Sequence, residues 1–158
     1  MTPAGLVLKA IKAGVTFATA ESCTGGMVAA AITDIAGSSA VLDRGFVTYS
    51  NAAKQDMLGV RAATLETHGA VSEQVALEMA QGALIHSQAG VAVSITGIAG
   101  PGGSDFKPEG RVCFGLAAHG QPPQTETIEF GPLGRDKVRK SARDHALILL
   151  EQSLSRRA

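Results

Sequence analysis

Two glycine-rich segments, each placed after a short apolar run, restrict the folds open to this sequence. The first, Ser22-Cys23-Thr24-Gly25-Gly26, comes soon after Val15-Thr16-Phe17-Ala18-Thr19. The second, Thr96-Gly97-Ile98-Ala99-Gly100-Pro101-Gly102-Gly103-Ser104, follows Val91 to Ile95. An almost continuous apolar run of that length reads as a strand buried on both faces. Strand, glycine turn, helix is the alternation of an open α/β sheet, where ligands bind at the carboxyl ends of strands. Glycines there let a ligand approach backbone N–H groups, and a helix N-terminus favours anions. Tight turns explain either loop alone. Two such loops in one short chain point to a pocket for a phosphate or carboxylate. Neither loop is a P-loop, because no Gly-x-x-x-x-Gly-Lys-Ser/Thr occurs.

The remaining elements fill in around these loops. Leu6, Val7, Ala10 and Ile11 give residues 3–13 a helical spacing, with Gly14 as the stop. Val15 to Thr19 reads as a strand and Met27 to Ile35 as a helix closed by Gly37. Val41 to Ser50 reads as a long strand, with Gly45 marking a bulge. Short helices follow at Ala52 to Leu58 and Ala63 to Thr67. Ser72 caps a helix reaching about Gln88, with Glu73 in its first turn. After the strand Val91 to Ile95, residues 97–110 form a loop and Arg111 to Ala118 a strand. Gln121-Pro122-Pro123 turns into Gln124 to Phe130, an edge or one-sided strand, and Arg135 to Ser153 is the last helix. The expected fold is α/β: a three-layer α/β/α sandwich with a mixed, mostly parallel sheet. A chain of 158 residues without repeat or linker reads as one domain, 1–158.

Composition narrows the function classes. With five Phe, one Tyr and no Trp, the core must be built from Ala, Val, Ile and Leu, and small residues permit close packing of helix on sheet. Fourteen basic residues balance fourteen acidic ones, so nucleic acid is not an expected partner. The basic run from Arg135 to Arg143, with Arg156-Arg157, is broken by Asp136 and Asp144 and reads as a solvated helix face. Cys23 and Cys113 form no CxxC, and no HExxH occurs, so no metal site is expected. Lys9 and Lys12 interrupt the N-terminal apolar run, which therefore does not read as a signal peptide. No run of ~18 apolar residues spans a membrane. A cytoplasmic protein is expected.

Ser22 stands where a strand turns into a helix. Such a hydroxyl projects into a cleft beside N–H groups, the geometry of a nucleophile with an oxyanion hole. A helix cap at Ser22 or Thr24 accounts for the same spacing. None of His68, His86, His119 and His145 lies in a glycine-rich loop. A neutral lysine can serve as base instead, if buried. Lys54 closes the stretch Val47-Thr48-Tyr49-Ser50-Asn51-Ala52-Ala53, again at a strand end, and reads either as that base or as a solvated helix lysine. Tyr49, the only tyrosine, stands ready to orient a proton or stack on a ring.

The segments AESCTGG (20–26), FVTYSNAAK (46–54), GAVSEQVALEMA (69–80), ITGIAGPGGSD (95–105), KPEGRV (107–112) and the helix opening at Gly134-Arg135 resemble the CinA C-terminal domain family, over nearly the whole chain and in order. Enzymatic members are nicotinamide-nucleotide amidases. The resemblance implies hydrolysis of nicotinamide mononucleotide to nicotinate mononucleotide and ammonia, no metal or organic cofactor, a three-layer α/β/α fold and a homo-oligomer. It is the stand-alone form that the chain resembles, without the extra N-terminal domain of longer members. Carried over, Ser22 is the nucleophile and Lys54 its base, later protonating ammonia. Tyr49 and Thr96 line the site. Thr24, Gly25 and Gly26 supply backbone donors, and Gly97 and Gly100 form the opposite wall. Arg135 and Arg139, one turn apart, reach for the phosphate, though a solvated basic face explains both equally.

Glu109 departs from the small or apolar residue expected in the family's KPxG segment. Pointing inward, it would weaken binding of an anion; pointing outward, it would have no effect. Two other readings stay open: Cys23 as the nucleophile, and a non-catalytic pyridine-nucleotide-binding module in a competence or damage response.

Overall fold

The structure is a computed structural model that describes residues 1–104 and 106–156. Asp105, at the end of the 95–105 segment, and Arg157 lie outside the described residues. Five strands form one sheet in the order β2-β1-β3-β4-β5: β1 Phe17–Glu21, β2 Leu42–Val47, β3 Val91–Gly97, β4 Arg111–Ala118 and β5 Gln124–Glu129. β1 pairs in parallel with β2 and β3, while β4 pairs antiparallel with β3 and β5. β4 alone runs against the other four strands, which is the mixed, mostly parallel sheet expected.

Side-chain size differs between the two faces of the sheet. Phe17, Val91, Val93, Ile95, Val112, Phe114 and Leu116 face one way and pack under α1 (Pro3–Ala13), α2 (Met27–Thr33) and α6 (Arg135–Ser155). Each such side chain, fully buried, contributes roughly 1.5–3 kcal/mol. Ala18, Ala20, Ala92 and Ala117 face the other way, under α3 (Asn51–Leu58), α4 (Ala62–His68) and α5 (Glu73–Ile85). The small face lets α5 settle onto the sheet. A Cβ on Gly115 would lie 2.4 Å from Ala76 O.

Local chemistry sets the element ends. Thr2 caps α1, accepting from Gly5 N, and Pro3 opens it. Gly14 closes it in the left-handed region at φ 68°, and Val15 N donates back to Ala10 O. That bond keeps Val15 out of the sheet, so β1 starts two residues later than expected and runs on to Glu21. β2 is shorter at both ends than its β-branched composition predicts. A 3-10 turn, Ser38–Ala40, precedes it, and the carbonyls of Thr48 and Tyr49 turn away from the ladder to Lys54. The bulge lies not at Gly45 but at Asp43, where the β1–β2 register shifts. Gly45 is needed for close approach, since a Cβ there would lie 2.6 Å from Thr19 Oγ1. Ser72 caps α5, accepting from Val75 N at 3.2 Å. Among the described residues no helix is long and apolar enough to cross a membrane.

Candidate active site

The carboxyl ends of β1 and β3, with the segments after β2 and before α5 and α6, enclose a cavity of about 440 Å³. Ser22 follows β1, and its N–H continues the ladder to Ile95 O at 3.0 Å. Lys54 reaches it from α3. Only 1 % of Lys54 is exposed, and its Nζ lies 3.1 Å from Ser22 Oγ, 3.0 Å from Thr48 O and 3.3 Å from Tyr49 O. As an ammonium, Nζ donates to all three. As a neutral amine it donates to the two carbonyls and keeps its lone pair for the Ser22 hydroxyl proton. Burial lowers the Lys54 pKa, which favours the neutral form. The solvated-lysine reading does not hold.

The turn that carries Ser22 is braced from within. Glu21, 1 % exposed, points to the opposite face from Lys54. Its Oε1 accepts from Thr24 Oγ1 at 2.7 Å, Val28 N at 2.9 Å and Gly26 N at 3.2 Å, and its Oε2 from Ala29 N at 3.1 Å. A carboxylate thus occupies the orphan N–H groups that open α2, whose N-cap is the side-chain-free Gly26. Gly25 and Gly26 take φ of 57° and 108°, and Gly25 N donates to Ser22 O. From α6, Arg139 Nε donates to Cys23 O at 2.9 Å and Nη2 to Thr24 O at 3.3 Å.

The opposite wall is the loop after β3. Thr96 Oγ1 donates to Ala70 O at 2.8 Å, tying β3 to the segment before α5. Arg135, the first residue of α6, bridges the mouth. Its Nη1 donates to Gly100 O at 2.7 Å and its Nη2 to Tyr49 Oη at 2.8 Å. Lys107 Nζ donates to His68 O and Val71 O, fixing the far end of the loop.

The structure therefore brings Ser22, Lys54, Tyr49, Thr96, Gly97, Gly100 and Arg135 together on the cavity wall. Thr24, Gly25, Gly26 and Arg139 do not line it. Gly26 N donates to Glu21, Gly25 N to Ser22 O, and Arg139 to the carbonyls of Cys23 and Thr24, while Thr24 meets Glu21 through its hydroxyl. Glu109 does not line the cavity either. Its two oxygens accept from the backbone N–H groups of Gly102 and Gly134.

Cys23 lines the cavity, but burial pushes its thiol up to about 12. None of the four histidines lines it; His145 bonds Glu126 and meets Phe114 edge-on. Among the described residues no three His, Cys, Asp or Glu side chains gather to hold a metal ion.

Sequence reasoning missed two contributors. Asn51, at the start of α3, lines the cavity. Glu21 braces the serine turn, and its signal was legible: a helix start with glycine at the N-cap needs an acceptor from elsewhere.

The profile of the CinA C-terminal domain matches residues 3–154. The nicotinamide-nucleotide amidohydrolase PncC of Escherichia coli K12 is 57 % identical over 147 residues, 91 % of this chain and 88 % of that protein. A CinA-like protein of Chlorobium phaeobacteroides is 54 % identical over 84 % of this chain, which spans only 32 % of that longer relative. The crystal structure of the competence/damage inducible protein CihA from Agrobacterium tumefaciens superposes with a TM-score of 0.90 at 49 % identity, covering 97 % of this chain and 95 % of that one.

Proposed function

Since the chain belongs to the CinA C-terminal domain family, we propose that it is a single domain, residues 1–158, that hydrolyses the carboxamide of nicotinamide mononucleotide. The products are nicotinate mononucleotide and ammonia, a step of pyridine nucleotide recycling. The observation that carries this reading is the buried contact of Lys54 Nζ with Ser22 Oγ at 3.1 Å. The name of the Escherichia coli relative supports the substrate.

An amide is a poor electrophile with a poor leaving group, so its hydrolysis needs an activated nucleophile and a proton for the amine. Neutral Lys54 takes the Ser22 proton as Oγ attacks the amide carbon. The C–N bond then breaks, and the Lys54 ammonium returns the proton to departing ammonia. Water, deprotonated by Lys54, cleaves the acyl-serine ester and restores the Ser22 hydroxyl. Thr48 O and Tyr49 O hold the lysine nitrogen throughout. Tyr49 and Thr96 orient the substrate, and Arg135, at the mouth, carries the positive charge that meets the phosphate.

Ammonia release from nicotinamide mononucleotide tests this directly. Ser22→Ala should lower kcat by ~10³-fold or more with the fold intact. Full activity in Ser22→Ala would remove the mechanism. Tight binding by the wild-type protein without ammonia release would favour the binding-only module. Thiol alkylation at neutral pH should leave activity unchanged, because a thiol held near 12 is not a thiolate there.

Activity should rise with pH to a midpoint below the ordinary lysine value of 10.5, because only neutral Lys54 accepts the proton. Stability follows the same sign. Between the lowered folded value and 10.5 the unfolded chain binds the extra proton, so stability rises with pH across that window. Lys54→Met, inactive in the assay, should abolish this rise in denaturant midpoints. The reading also includes a cytoplasmic location, expected from the N-terminal sequence and the lack of a long apolar run, and self-association, which rests on the family resemblance; sedimentation velocity tests the latter.

A further inference from the structure

We infer that Glu109 is a positioning residue for substrate binding: its carboxylate ties the loop at the cavity mouth to the start of α6 and so holds Arg135 across the opening. Oε1 accepts from Gly102 N at 2.7 Å and Oε2 from Gly134 N at 3.1 Å. Each oxygen therefore holds a different segment. Gly134 immediately precedes Arg135, and α6 has no side-chain cap of its own. Gly102 lies two residues past Gly100, whose carbonyl accepts from Arg135 Nη1 at 2.7 Å. Glu109, Gly102, Gly100, Arg135 and Gly134 thus close a ring of contacts around the mouth.

Packing tightens the ring. A Cβ on Gly100 would lie 2.5 Å from the Glu109 carboxyl carbon, so the carboxylate rests directly on the glycine backbone. Hydrogen bonds to an ionised acceptor are about twice as strong as neutral ones. A carboxylate facing the cavity would repel an anionic substrate. This one turns both oxygens to N–H donors behind the wall, and its effect on an anion is to keep Arg135 in place. Neither outcome weighed from the sequence describes it.

The kinetic part of this inference rests on the amidohydrolase reading; the contact itself does not. E109A should raise KM for nicotinamide mononucleotide about tenfold, with kcat within about twofold, because one carboxylate anchors Arg135 but touches neither Ser22 nor Lys54. E109Q keeps one acceptor oxygen and should fall between. Adding E109A to R135A should raise KM no further, since both changes act through one guanidinium. In substrate-free protein, amide exchange at Gly102 and Gly134 should accelerate in E109A. Unchanged KM and exchange, a fall confined to kcat, or additive effects with R135A would overturn the inference. Should the wild-type protein release no ammonia, the functional reading fails, and unchanged exchange at Gly102 and Gly134 would then be what refutes the tie.

Discussion

Gly25 and Gly26 sit in a turn whose donors and acceptors go to Glu21, Ser22 and Arg139, whereas Gly97, Gly100, Gly102 and Gly103 face the cavity. The two glycine-rich segments look alike in sequence. One is braced by a buried carboxylate against a helix end, the other by ties to distant loops and to α6. A nucleophile needs a fixed position, and a substrate mouth needs room for the ligand to approach. The first loop uses glycine for backbone angles, and the second uses it for angles at Gly100 and Gly102 and for close approach at Gly97 and Gly103.

That contrast can be broken experimentally, starting where the effect is largest. Glu21→Gln leaves one carbonyl oxygen where two oxygens accept four bonds, and sets an amide N–H against N–H donors. Its expected cost is about 3 kcal/mol in chemical denaturation, as for other buried charges stripped of their match. A loss under about 0.5 kcal/mol, the range of ordinary surface changes, would mean the turn is not braced this way. Next come Arg135 and Arg139 of α6. Arg139→Ala loosens the serine turn and should lower kcat about tenfold, equal to about 1.4 kcal/mol of barrier, with KM little changed. Arg135→Ala should do the reverse, raising KM and sparing kcat. Matching kinetic signatures for the two variants would erase the distinction between the loops. The smallest effect separates two glycines of the mouth. Gly100 has φ 93° and its Cβ would strike Glu109, while Gly102 has φ 79° and meets nothing within 4 Å. Gly102→Ala should cost about 1 kcal/mol of backbone strain alone, and Gly100→Ala more, with a higher KM.

The layered fold and most of the cavity wall were legible because they follow from chain-local signals. Apolar runs mark the strands, glycine and serine mark the ends, Ser22, Tyr49 and Thr96 stand at or just beyond strand ends, and Lys54 follows in the helix after β2. What escaped depends on where side chains turn after the chain folds. Asp43 takes the bulge because a neighbouring strand shifts register there, and no property of Asp43 itself announces it. Arg139 has the same spacing and charge as a phosphate ligand, but two carbonyls reach it first. Glu109 appeared as a departure from pattern, and only the approach of Gly134 gives its second oxygen a partner.

The reversal of β4 has a consequence for how such a chain can change. Because β3 and β4 are antiparallel neighbours, residues 98–110 leave and re-enter the sheet at the same end of its strands. A parallel successor would need a crossover helix of fixed span. Here no crossover has to be spanned, and away from the ties at Gly100, Gly102, Lys107 and Glu109 the connection can lengthen, since doubling a flexible loop costs only about 0.6 kcal/mol. Insertions at the mouth can therefore alter what the cavity admits without disturbing the strands that hold Ser22, so substrate scope and catalytic apparatus can drift at separate rates.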